Sequence, residues 1–230
     1  MRHTIDKFLE LLKWPVAIIA LLSLPALIES FSFKYFKFSH LRYLVMGAGF
    51  ILFFISRTMA DKSVKVTMQI AAHEFTHAFF ALITMHKINH IRLNPDNSGG
   101  EMGFKGKGNW LIIISPYFFP LLAFFYMITV SIYTKIAPVN DTINLILSGF
   151  LGYFLAYHVD TVVSQIHEKQ TDLTKAKYSF CVMFLPSANL WTIGCILAFN
   201  SRGWEGMWAY TRLIGKLNMD NLKYILSYIF

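Results

Sequence analysis

Apolar positions in this chain fall in long blocks, separated by short polar connections. Apolar runs occupy Trp14 to Ile28, Tyr43 to Ser56, Val64 to about His86, Asn109 to Thr134, Thr142 to about Ile166 and Tyr178 to Ser201. A helix rises 1.5 Å per residue, so runs of this length match the hydrocarbon core of a bilayer, with 14–28 and 43–56 short for it. The pattern predicts an all-α polytopic membrane protein with about six transmembrane helices, as one membrane-embedded domain over 1–230. Ser63 is the expected N-cap of the third helix, which should end near His86 or Lys87. Pro116 and Pro120 predict a kink or break in the fourth run, and Gly149 and Gly152 a close helix approach in the fifth.

The connections add detail. Phe31 to His40 mixes aromatics with Lys34 and Lys37, which suits the headgroup boundary. Ile88 to Leu93 alternates apolar with polar, Asn94 to Gly100 is dense turn chemistry, and Glu101 to Lys107 follows. Together they predict a small β-hairpin at the membrane surface. The tail 202–230 alternates apolar and basic residues (Arg212, Lys216, Lys223) and is expected to be an amphipathic interfacial helix or a marginal seventh span.

Composition agrees with this reading. The chain is 55% hydrophobic and 15% charged, against about 25% charged in soluble domains. Its net charge of +8 lies in short Lys and Arg clusters between apolar runs. That placement points to lipid headgroups as partners and away from nucleic acid. Cys181 and Cys195 would lie about 21 Å apart on one helix, beyond disulfide reach.

The chemistry concentrates in His73-Glu74-Phe75-Thr76-His77, an H-E-x-x-H set. Residues four apart share one helical face, so two imidazoles can point at one ion with a carboxylate beside them. Two His ligands and a Glu that takes a proton from an activated water are the expected parts of a zinc hydrolase, with one Zn2+ per chain. A catalytic zinc needs a third protein ligand. By depth, the fifth run brings His158 and Asp160 opposite His77, while Asp172 lies further along and needs the chain to fold back inwards. His158, Thr161, Gln165 and Asp172 share one helical stripe, and Asp160 points about 200° away from His158. His158 is the favoured third ligand, Asp172 the alternative, and Asp160 comes third.

H-E-F-T-H-A-F-F-A-L, the β-like stretch Ile88 to Pro95 and Gly99-Gly100 together resemble the intramembrane zinc metalloproteases of the site-2 protease family. The resemblance covers about 64–177. The L-D-G motif that usually supplies that family's third ligand is absent. Tyr157-His158 and Thr171-Asp172 are similar by position to a variant branch with a Tyr-x-x-x-Asp set and a later Ser-Asp or Thr-Asp pair. The resemblance implies peptide-bond hydrolysis in or beside the membrane, on a membrane protein or peptide, with Glu74 as general base. It also implies a multi-pass protein, expected in a bacterial cytoplasmic membrane. The hairpin at Gly99 and Gly100 could hold an unwound substrate by edge pairing, and Asn189 is the lone amide of the sixth run able to reach substrate backbone. The alternative readings are a non-proteolytic metal-binding or regulatory membrane protein and, further off, a metal-ion permease.

Overall fold

The computed structural model describes residues 2–32, 35–36, 40–94, 99–167 and 170–229. Helices α1 (Arg2–Ser30), α2 (Leu41–Met59) and α3 (Lys62–Ile83) lead to an antiparallel hairpin of β1 (Ile88–Leu93) and β2 (Gly100–Phe104). Short α4 (Trp110–Ile114), a 3-10 turn (Ser115–Tyr117), α5 (Leu121–Ile136), α6 (Asp141–Gln165), short α7 (Thr171–Ala176) and α8 (Tyr178–Ile229) follow. Among the described residues, four helices are long and apolar enough to cross a membrane, or five if α4 and α5 form one bent span. Of the six expected spans, the run that does not qualify by length and composition is α3. Its two His, its Glu, Lys62, Lys65 and Gln69 make it too polar to face lipid alone.

Several boundaries move for local reasons. Asp61, not Ser63, is the N-cap of α3. The helix stops at Ile83, where Met85 takes φ 62° and the His86 amide returns to the Ala81 carbonyl at 2.8 Å. The proline-bearing run breaks fully: Pro116 sits in the 3-10 turn, Pro120 caps α5, and the two parts bend by 82°. In the hairpin, Ile91 faces Met102 and Leu93 faces Gly100. The predicted turn residues Pro95 to Ser98 lie outside the described residues, as do Lys34 and Lys37.

The polar start of the chain is helical too, because its acids find partners across the fold. Asp6 accepts from Asn109 Nδ2 at 2.8 Å and lies 3.2 Å from His86 Nε2. Glu10 accepts from the Trp110 amide at 3.0 Å. The tail does not lie apart on an interface. α8 leaves helical geometry at Arg202 and Gly203, and its second limb folds back along the first, with Gly206 against the Ala198 carbonyl and Tyr210 against Gly194. Ser30 meets Tyr210 at 2.9 Å and Asn218 donates to Ser23 at 3.0 Å on the second limb, and Ser187 Oγ donates to the Ala20 carbonyl from the first, so α1 packs along both limbs.

α2 and α6 approach until backbone meets backbone. A Cβ on Gly152 would run into the Met46 carbonyl, and one on Gly49 into Gly149. Gly152→Val should therefore force the helices apart and cost about 1–3 kcal/mol. Gly47→Val, on α2 with nothing within 4 Å of its added Cβ, should leave thermal unfolding in detergent unchanged. Equal midpoints for the two variants would contradict this packing.

Candidate metal centre

His73 and His77 lie one turn apart on α3, each 8% exposed, with ring centroids 4.6 Å apart. Their Nε2 atoms approach to 3.1 Å. After α6 ends at Gln165 the chain folds inwards, and the first turn of α7 brings up Asp172. Its Oδ2 lies 3.4 Å from His73 Nε2 and 3.3 Å from His77 Nε2. A tetrahedral ion with ligand distances of about 2.0–2.1 Å has ligand-to-ligand edges of about 3.3–3.4 Å. The three donor atoms already stand at almost that spacing, so this donor set fits zinc.

Both imidazoles are held in the tautomer a metal needs. His77 Nδ1–H donates to the Ile112 carbonyl at 2.7 Å, and His73 Nδ1–H to Gln165 Oε1 at 2.8 Å. The Gln165 amide donates in turn to the Gln69 carbonyl at 3.2 Å, which keeps its oxygen on His73. With the protons on Nδ1, each Nε2 lone pair points into the triangle. Tyr117, fully buried, packs edge-on to His73 with centroids 5.4 Å apart.

Burial alone would raise the pKa of Asp172, but the two imidazoles beside its Oδ2 favour the carboxylate and hold it well below the usual range. Its other oxygen, Oδ1, accepts from Lys175 Nζ at 3.3 Å. Glu74 is 7% exposed, and that burial raises its pKa. It lines the same cleft of about 910 Å3 as His73, His77, Asp172, Gly99 and Gly100. A Cβ on Gly100 would lie 2.7 Å from Glu74 Cγ, so a side chain there would displace the carboxylate.

The other residues singled out in the sequence lie elsewhere. His158 lines a small adjoining cavity with His73, Thr76, Pro116 and Tyr157, not the cleft shared by His77 and Asp172, and its Nε2 has no partner among the described residues. It does not converge with the two imidazoles. Asp160 is held by Arg57 at 2.8 Å and Gln69 at 2.9 Å. Asn189 is not among the residues lining the cleft; it donates to the carbonyls of Tyr117 and Leu185 at 2.9 Å each and ties α8 to the break after α4. Sequence reasoning did not give Gln165, the Ile112 carbonyl or Lys175 a role. Gln165 was within reach, since it lies on the His158 stripe two turns nearer the helix end. The Ile112 carbonyl carries no signal in its residue type.

Residues 44–163, just over half the chain, match the family described as Peptidase M50B-like. The chain belongs to that family. The M50B-like match includes His73, Glu74 and His77 and ends before Asp172. With its long apolar helices, the protein is a multi-pass membrane metallopeptidase. No curated protein and no solved structure matches it.

The geometry has a direct test. His73→Ala, His77→Ala and Asp172→Ala should each lose bound zinc measured on the purified protein, whereas His158→Ala should keep it. Gln165→Leu should keep the site but weaken zinc affinity about 10–100-fold, the usual effect of removing a hydrogen bond to a ligand's far side.

Proposed function

We propose that this M50B-like protein is a zinc endopeptidase that cuts a membrane protein or peptide in or beside the bilayer. His73, His77 and Asp172 hold the ion and Glu74 is the general base. The observation that carries this reading is the convergence of three donor atoms, 3.1–3.4 Å apart, in one cleft with a buried Glu that is not among them. A metal site with a purely structural role has no use for that fourth group.

Zinc in such a site supplies Lewis acidity, lowering the pKa of a water towards about 7 and polarising a carbonyl. The chain's own groups do the rest. Glu74 accepts the proton from the attacking water and returns it to the departing amine nitrogen. Its burial raises its pKa, the direction a group that must both take and return a proton requires. β2 pairs with β1 along one edge only, leaving the other edge for an unwound substrate strand. Gly100 has no side chain at the point where that strand would pass Glu74.

Glu74→Gln separates an enzyme from a binding protein. It keeps the shape of the side chain and should keep zinc at one per chain. Cleavage of single-span peptides in detergent, read by mass spectrometry, should fall at least about 10²-fold. Parent-like cleavage by the variant would remove Glu74 from the mechanism. No cleavage by the parent, with zinc bound, would favour the binding-protein reading.

A further inference from the structure

The far ends of α2 and α6 carry a second polar feature that proteolysis does not use. Asn144 and Gln165 lie about 32 Å apart along α6, close to the hydrocarbon thickness of a bilayer. At the Asn144 end, the start of α2, the end of α5, the start of α6 and the break in α8 meet. A cavity of about 330 Å3 there is lined by Arg42, Lys135, Asn144, Ser148, Asn200 and Arg202 among others. A neighbouring cavity of about 850 Å3 shares Arg42 and Arg202 with it. Asp141 is the one carboxylate lining either cavity. Arg42, Lys135 and Arg202 form no ion pair among the described residues.

Beside these cations lies Asn200, 7% exposed, whose Nδ2 has no acceptor among the described residues. Trp204 lines the same cavity and is held by a 2.8 Å bond from its Nε1–H to Ser131 Oγ. Solvated cations at a membrane surface need no cavity and no buried donor. Two guanidinium groups, an ammonium and an unmet amide, brought together from α2, α5 and α8, suit a group with several charged oxygens. A phosphate has that chemistry, and guanidinium forks match its oxygens in pairs. At this depth the available phosphate is that of a lipid headgroup.

We propose that this cavity is a binding site for the phosphate of an anionic phospholipid, held by Arg42, Arg202, Lys135 and Asn200 on the membrane face opposite the metal centre. Occupancy would join α2 and α5 to the turn of α8 through one shared anion. The site depends on the membrane embedding and not on the peptidase chemistry.

The test is native mass spectrometry of the full chain in detergent with phosphatidylglycerol, phosphatidylcholine or inorganic phosphate added. The parent should retain phosphatidylglycerol in preference to phosphatidylcholine. Arg42→Gln and Arg202→Gln should each reduce that preference about fivefold, and Asn200→Leu should reduce it as well. Lys223→Gln, in the tail away from the cavity, should leave it unchanged, and thermal unfolding should confirm that all four variants are folded. Inorganic phosphate bound with the same dependence on these residues, without any lipid preference, would overturn the lipid and leave a soluble phosphate. Equal retention of both lipids with no phosphate bound, or an equal loss in Lys223→Gln, would overturn the site.

Discussion

A neutral imidazole has one lone pair to give a metal, and the protein chooses which by fixing the proton on the other nitrogen. Everything around His73 and His77 answers to that constraint. His77 needs a carbonyl behind it, and Ile112 supplies one only because α4 is a short piece set at an angle to α5. That piece is anchored by Asn109, whose side-chain oxygen accepts from the Ile112 amide at 3.2 Å and whose Nδ2 donates to Asp6. Asp6 also meets His86 at the end of α3. The proline break, the polar start of α1 and the turn after α3 thus form one support behind one ring. Buried polar groups of this kind hold their geometry only when each has its partner.

α6 is the support on the other side. Gln165 at its end orients His73, and Asp160 one turn back joins Arg57 of α2 to Gln69 of α3. Further along, Gly149 and Gly152 let α2 lie directly on its backbone. The wall of the metal centre is therefore a rigid pair of helices. The cleft opens instead towards β2 and the chain around α7. That division suits an enzyme that must hold its ligands still while admitting an extended strand.

Local pattern carried much of this into the sequence. The i, i+4 spacing of His73 and His77 placed two donors on one face, period-2 alternation marked β1, and two glycines marked the α2–α6 contact. What stayed hidden depended on contacts between residues far apart. Asp6 and Glu10 look like a solvated start until partners about a hundred positions later are known. The tail reads as interfacial by its basic residues, yet Gly194 and Gly206 let it fold onto its own first limb. The depth reckoning that favoured His158 assumed that the chain after Gln165 leaves the membrane. The stripe linking His158 to Asp172 assumed an unbroken helix, and the helix breaks between them.

Charge arithmetic explains why the inward fold delivers an aspartate. A dication held by two neutral imidazoles and Asp172 would need one further negative charge, which the Glu74 carboxylate in the same buried cleft could supply. With His158 in place of Asp172, one positive charge would remain uncompensated where desolvation makes it expensive. Asp160 could not have filled the role, because Arg57 and Gln69 already hold its Oδ2. Among the described residues, Lys175 is the one Lys or Arg paired with Asp172, on its other oxygen, and that lysine side chain is 63% exposed. Oδ2 is left for the two imidazoles, and it points to the one place in the cleft where a dication would meet two lone pairs.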